Sequence, residues 1–229
     1  QDIITETHQN YLSQHKNLTV AIYIYYPPYQ FVNDQGNVDG ILIDYLKVLE
    51  EKLDYTFKKK FYNNWKSLIN DAKSGNIDVI LEIQNTVERR NYLTFTKPIF
   101  VGDHVIVSEK ENTITSIKEL IGKKVAVGDG YSIQEYLKNN HSKIIIVPYS
   151  NEEECLKALD KGDVDAFIGL RSIANYTIKK QSLNSLEIQT PIHYKNELGI
   201  AINKQKPELA KIIKQANADV SLEEKNEIL

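Results

Sequence analysis

The positive charge of this chain comes almost entirely from lysine, and its three arginines, Arg89, Arg90 and Arg171, stand out against that background. Two of them lie in Thr86-Val-Glu-Arg89-Arg90, where Thr86 is placed to cap a helix. A cation in a first helical turn opposes the helix dipole, so another reason for it is needed. The planar guanidinium fork grips a carboxylate with two hydrogen bonds, which an ammonium does not do. Either arginine of the pair fits this role, and a solvated surface pair is the plain alternative. Farther along, Gly130-Tyr131-Ser132 precedes an expected helix, whose free N–H groups and positive end would attract an anion. Tyr23, Tyr25, Tyr26 and Tyr29 surround Pro27-Pro28, and the single tryptophan, Trp65, begins another expected helix. Tyrosine offers a flat apolar face and a hydroxyl, which suits a cleft wall. Strand alternation puts Tyr23 and Tyr25 on one face, and packing alone would account for half of these rings. An arginine, a helix start and aromatic walls together describe a clamp for a small carboxylate.

Other chemistries find little support. No Gly-x-Ser-x-Gly elbow, His-Glu-x-x-His or phosphate-binding P-loop occurs. Gly128-Asp-Gly130-Tyr-Ser-Ile133 has the setting of a dinucleotide fingerprint, but Ile133 stands where a third glycine must allow close helix packing. No cofactor is therefore expected. His8, His15, His104, His141 and His193 are scattered without ligand spacing, so solvated or structural roles are expected and no metal. Cys155 shares an apolar helix face with Leu156 and Leu159 and reads as buried filler. One cysteine excludes an internal disulfide and a cysteine-built zinc site. A net charge of −3 with no basic cluster leaves no footprint for nucleic acid.

The elements that must position these residues follow from pattern. At 229 residues the chain is one large domain or two small lobes, with enough length to bury a core. Thr5–His15 reads as a short polar helix, and Leu18–Tyr25 as a β-branched and aromatic strand. Asn33-Asp-Gln-Gly36 reads as a turn, Ile41–Glu51 as a helix, and Tyr55–Tyr62 as a strand. Asn64 caps a helix from Trp65 to about Lys73, stopped at Gly75, before a strand at Asp78–Leu81. The rhythm restarts with capping boxes at Ser116-x-x-Glu119 and Ser132-x-x-Glu135 and strands at Lys124–Val127, Lys143–Val147 and Val164–Ile168. Helices are expected over Asn151–Asp160 and Arg171–Lys179. Thr94–Ser108 and Tyr194–Asn203 are extended and would connect the two units, with helix Pro207–Ala218 and a capped segment from Ser221 completing the first. Two α/β units joined by two crossovers make a cleft, where small ligands bind.

At these residues the sequence resembles the bacterial extracellular solute-binding proteins of family 3, the polar amino-acid class of periplasmic binding proteins. The stretches that carry the resemblance run in order along nearly the whole chain. They are Tyr26-Pro-Pro-Tyr-Gln-Phe31, Gly36 to Gly40-Ile-Leu-Ile-Asp44-Tyr, Trp65-Lys-Ser-Leu68 and Ser74-Gly-Asn-Ile-Asp78. Thr86-Val-Glu-Arg89, Phe95-Thr-Lys-Pro98, Leu120–Val127, Gly162-Asp-Val-Asp165-Ala and Glu197-Leu-Gly-Ile-Ala201 continue the series. The resemblance implies an α/β fold, a type II-like two-lobed flytrap with mixed, mostly parallel sheets and two crossover strands. It implies a discontinuous first lobe, 1–103 plus 196–229, and a second lobe, 104–195. By position, Arg89 resembles the arginine that binds a ligand carboxylate, Tyr26 and Trp65 the aromatic walls, and Thr86 a nearby polar contact. Tyr131 and Ser132 resemble the carboxylate-binding helix start, and Tyr23, Gln84 and Gly130 are expected beside them. Leu170 stands where the family places an aspartate for the ligand's α-amino group. An ammonium would there lose a partner worth about 1.5–3 kcal/mol.

The spacing from Asp78 to Arg89, the helix containing Leu12-Ser-Gln-His15 and the segment Gly130-Tyr131 to Glu135-Tyr-Leu137 resemble flytrap domains of sensor histidine kinases. So does the ending Ser221–Leu229, which is similar to a final helix leading toward a membrane span. The sequence starts with Gln1, without a signal peptide, and reads as a piece of something longer. The reading that results is an extracytoplasmic, non-enzymatic sensor domain binding a small carboxylate-bearing solute. Its parent would be tethered to the inner membrane, with any dimer forming through that parent. A free binding protein of an amino-acid ABC transporter shares the same fold and site. A more distant alternative is an enzyme similar to the dehydratases of this fold, for which Glu82 is the carboxylate available.

Overall fold

Strand β-branching and helix caps lay out the first unit in chain order. A computed structural model describes residues 5–228; residues 1–4 and Leu229, the ends of the expected first lobe, lie outside it. Thr5 Oγ1 accepts from His8 N–H at 3.1 Å and opens α1 (Glu6–Gln14). Strand β1 (Thr19–Tyr23) follows, then a small antiparallel sheet of β2 (Tyr25–Tyr26), β3 (Gln30–Val32) and β4 (Val38–Asp39). After α2 (Ile41–Leu53) come β5 (Lys58–Tyr62), α3 (Trp65–Lys73) and β6 (Val79–Ile80). Asn64 caps α3, accepting from Ser67 N–H at 2.9 Å. A single 3-10 turn, Arg89–Asn91, leads into β7 (Leu93–Phe95), so the helix expected after Thr86 is only one turn long.

Strand β8 (Phe100–Glu109) crosses to the second unit. There a 3-10 turn at Ile117–Leu120 carries the expected capping box of Ser116 and Glu119. The unit continues through β9 (Lys124–Gly128), α4 (Ser132–Asn140), β10 (Ile145–Tyr149), α5 (Glu152–Asp160), β11 (Ala166–Leu170) and α6 (Arg171–Lys180). Strand β12 (Leu186–Leu198) returns, and β13 (Ala201–Asn203), α7 (Pro207–Ala218) and α8 (Leu222–Ile228) complete the first unit.

The two sheets are ordered β5-β1-β6-β13-β7 and β10-β9-β11-β8-β12. In the first, β1 is parallel to β5 and β6, while β13 runs antiparallel to β6 and β7. In the second, β9 is parallel to β10 and β11, while β8 is antiparallel to β11 and β12. The β8–β12 ladder runs from Phe100 opposite Leu198 to Glu109 opposite Leu186, with register shifts at Ile188/Thr190 and Pro191/Lys195, and so joins the lobes by a strand pair. The expected division at 103/104 and 195/196 falls inside this ladder, at Asp103 opposite Lys195.

Alternation along β1 divides the core. Val20 and Ile22 face α2 and α7, whereas Ala21 and Tyr23 face α3 and the second lobe. Tyr23 and Tyr25 do not share a face: β1 ends at Tyr23, which is buried, and Tyr25 begins a new strand and is 39% exposed. The cluster around Tyr23 also holds Leu170 and Ile173 of the second lobe, so apolar packing continues across the cleft. Cys155 is fully buried, as its helical position predicts.

Candidate functional site

The lobes meet around a narrow cavity, with about 30 Å³ open to water-sized molecules. Its lining combines Tyr23, Tyr26, Trp65, Gln84, Arg89, Tyr131 and Ser132 with five residues not expected there as ligand contacts, Glu82, His104, Ile133, Glu152 and Asn196. A roomier cavity of about 190 Å³ lies between the β2–β3 hairpin and α6, but its charged residues, Glu153 and Lys180, are not buried. Buried charge marks the narrow cavity as the candidate site.

The structure separates the three arginines. Arg89 is 5% exposed; its Nη1 donates to Gln84 O at 3.0 Å and Nη2 to Gly130 O at 3.3 Å. Its guanidinium lies 5.6 Å from the centre of the Trp65 ring system. Among the described residues no ion pair involves Arg89. Burial pushes its pKa down, while Tyr92 and Glu82 push it up. Arg90 is exposed and donates to Asn85 Oδ1 at 2.9 Å, and Arg171 pairs with Asp103 at 2.9 Å. Thr86 sits outside the cavity lining, where its Oγ1 accepts from Arg89 N–H at 3.2 Å.

Tyr131 packs across the cleft from the second lobe. Its ring packs edge-on against Tyr23, Tyr26 and Trp65, with centroids at 6.1, 6.5 and 5.8 Å. Its hydroxyl donates to Tyr23 OH at 2.9 Å, and Tyr23 OH donates to Ser150 O at 3.2 Å. Burial raises the pKa of both phenols. Trp65 Nε1 donates to Gly130 O at 3.1 Å, and Tyr29 OH lies 2.7 Å from Ser172 Oγ, so the lobes are tied by polar contacts as well as rings.

Two expectations need correction here. Ser132 is not a cap: α4 starts at Ser132 itself, Tyr131 occupies the cap position, and no side chain caps the helix. The reason is local, since Gln134 Oε1 takes the Gly130 N–H at 2.7 Å and Tyr131 N–H bonds to Gly128 O. Gly130 accordingly does not offer a free N–H; it turns its carbonyl toward Arg89 and Trp65. This turn needs glycine, for φ is +80° and a Cβ would press on Lys66 and Trp65 at 3.3 and 3.4 Å. Gln84 is also occupied, donating to Lys195 O at 3.1 Å and accepting from Glu197 N–H at 2.6 Å. Leu170 is 1% exposed and belongs to the apolar cluster beside the cavity.

The carboxyls of Glu82 and Glu152 are the strongest electrostatic feature. Glu82 follows β6, and Glu152 opens α5 behind its cap, Asn151, which accepts from Glu154 N–H at 2.9 Å. Burial pushes Glu82 up to about 8 against the opposing pull of Arg89. Burial also pushes Glu152 up to about 8, with the Leu170 backbone opposing and Glu82 adding to the rise. His104 is held down to about 4 by burial, although the Tyr194 carbonyl, 2.8 Å from Nδ1, favours its charged form.

The sequence profile of the bacterial extracellular solute-binding proteins, family 3, matches residues 18–228. The chain belongs to that family. Among its relatives, the L-cystine-binding protein TcyJ of Escherichia coli strain K12 is 26% identical over 214 residues, covering 92% of this chain and 80% of that protein. Sensor protein EvgS of the same strain is 24% identical over 215 residues, which are 93% of this chain but only 18% of the sensor. Of solved structures, the periplasmic VFT2 domain of Bordetella pertussis BvgS superposes with a TM-score of 0.87 at 20% identity, over 98% of this chain and 96% of that one. The two-lobed α/β architecture is thus that of a flytrap domain, and the family contains both transporter binding proteins and sensor domains.

Proposed function

We propose that this family member is an extracytoplasmic sensor domain that captures a small carboxylate-bearing solute between its lobes. The observation that carries this reading is Arg89, a buried guanidinium held by two backbone carbonyls and paired with no carboxylate. A ligand carboxylate would displace the weaker of these bonds, the 3.3 Å contact to Gly130 O, and gain the bidentate fork. Trp65, Tyr23 and Tyr26 would wall the ligand, and Tyr131 and Ser132 would meet it from lobe two. The ligand favours the closed form by as much as it binds that form better, and this shift is what a coupled module would read. The parent would be an inner-membrane sensor histidine kinase, with dimerisation through that parent; similarity to EvgS and BvgS supports it.

A thermal-shift screen of small carboxylates and amino acids tests the site. Stabilisation of the wild type should vanish in Arg89→Ala, and unchanged stabilisation would sink the assignment. A second reading, a free binding protein serving an importer, is favoured by the match over 80% of the L-cystine-binding protein. The full-length gene separates the two: a membrane helix and kinase region downstream means sensor, and a stop codon means transporter component.

A further inference from the structure

Two rows of side chains repeat at helical spacing along α6, on the side turned to the first lobe. Ser172, Tyr176 and Lys180 meet the β2–β3 hairpin and the turn beyond it. Tyr29 OH lies 2.7 Å from Ser172 Oγ, the Phe31 and Tyr176 ring centroids are 5.7 Å apart, and Lys180 pairs with Asp34 at 3.2 Å. The neighbouring row, Ile173, Thr177 and, just past the helix, Gln181, lines the cavity of about 190 Å³. Its opposite wall is Tyr25, Pro27, Phe31 and Val32 of the hairpin, and Tyr25 and Val32 are large apolar side chains left 39% and 44% exposed. This cavity shares no lining residue with the one around Arg89. Strand β2 divides them, with Tyr25 on one and Tyr26 on the other.

Two buried polar side chains open onto this space. Asn151 is 6% and Thr177 4% exposed. Asn151 Oδ1 caps α5, but its Nδ2 has no hydrogen-bond partner among the described residues, and neither has Thr177 Oγ1. Both residues line the cavity and neither atom is sealed within the packing, so each keeps a donor for a guest. The charges at the rim are already matched, Lys180 by Asp34 and Glu153 by Lys157 at 3.7 Å. Among the described residues the lining therefore carries no spare charge.

We propose that this cavity is a second binding site, bridging the lobes, for a small neutral aromatic molecule that carries an acceptor oxygen, of the phenol or aromatic-carbonyl kind. A cavity of about 150 Å³ with aliphatic and aromatic walls holds benzene, so about 190 Å³ takes one ring with a small substituent. Tyr25, Phe31 and Tyr176 surround that ring with aromatic surface. Its oxygen accepts from Asn151 Nδ2 or Thr177 Oγ1, the donors the fold leaves unused. The site does not depend on the carboxylate reading of Arg89, and both lobes hold its guest.

The test measures binding of phenol and benzamide by calorimetry and ligand-observed NMR, beside toluene, which lacks the oxygen, and cyclohexanol, which lacks the aromatic ring. Phenol and benzamide should bind the wild type more tightly than either. Tyr25→Ala removes an exposed ring from the first lobe, and Thr177→Val removes a hydroxyl from the second while keeping its shape. Each should weaken phenol roughly 2- to 10-fold, with toluene insensitive to Thr177→Val. Should Thr177→Val fail to fold, Tyr25→Ala, at an exposed position, and the probe series decide. Arg89→Ala should bind phenol as the wild type does and benzoate more weakly than phenol. The site is overturned if neither phenol nor benzamide binds, if toluene and cyclohexanol bind as well, or if either folded variant binds phenol at wild-type strength. It is overturned too if benzoate equals phenol in Arg89→Ala, or if Arg89→Ala abolishes phenol binding, which would put the probe in the main cleft.

Discussion

Replacing Glu82 with glutamine removes one buried titration while keeping the side chain's shape, and the consequence for stability follows from linkage. Burial raises the folded-state carboxyl from 4.5 to about 8. A group whose folded pKa is raised contributes its full stability below the unfolded value, and that contribution is lost as pH rises through the folded one. Within that window each pH unit removes about 1.4 kcal/mol, so between pH 5 and pH 8 the wild type loses about 4 kcal/mol through Glu82 alone. For a chain of this size, 1 kcal/mol moves Tm by about 2–4 °C. The wild type should therefore fall relative to Glu82→Gln by on the order of 10 °C in Tm across that range, the two starting close together at pH 5. Melting curves followed by circular dichroism at half-unit pH steps measure it directly. Parallel wild-type and variant curves would refute the claim that Glu82 holds its proton in the folded cleft.

Two further outcomes concern the frame of the site. Asp78 accepts from Thr19 N–H at 2.8 Å and Thr19 Oγ1 at 3.1 Å and pairs with Lys206, joining the start of β1 to the turn before α7. Asp78→Asn should cost about 1.5–3 kcal/mol in urea unfolding, because charged hydrogen bonds are lost from a partly buried position. Trp65→Phe keeps a ring but removes the donor to Gly130 O, a bond that joins the two lobes. Losing about 1 kcal/mol of closure should raise the open population roughly fivefold, seen as a larger radius of gyration in solution scattering; an unchanged radius would count against a closing role.

Local pattern made most of the fold legible, because helices announce themselves by caps and strands by β-branched runs. Asn64 and Ser116 cap where their sequence positions predict, and Asn151, expected as the first helical residue, caps α5 instead. The misses are pairing effects. The strands expected at Lys143 and Val164 begin two residues later, at Ile145 and Ala166, because their ladders are fixed by β9, with Ile145 opposite Lys124 and Ala166 opposite Val125. Asp165 also bonds Lys124 through backbone and side chain, which anchors the start of β11. Such register belongs to two distant segments, and neither carries it alone. The same holds for Tyr25, whose alternation with Tyr23 is broken where β1 gives way to the hairpin.

The site was legible where a residue type was anomalous and hidden where it looked ordinary. The pair Arg89-Arg90 could be singled out because arginine is rare in this chain and badly placed for a helix dipole; the family resemblance alone points to Arg89, which is the buried member. Glu152 could not, since Asn151-Glu152-Glu153-Glu154 is what any capped helix start looks like, and the dipole already explains its acids. Only the fold turns Glu152 inward while Glu154 stays exposed. That placement puts one carboxyl from each lobe on the same cavity. It also gives closure an electrostatic condition. An open cleft would leave Arg89, Glu82 and Glu152 hydrated at little cost, and closing would remove all three from water. Without ligand, Arg89 settles on the carbonyls of Gln84 and Gly130, and the glutamates close only by keeping their protons. A ligand carboxylate would take the place of those carbonyls on Arg89, and it would matter most above about pH 8, where the glutamates give up their protons and the cleft would close least readily.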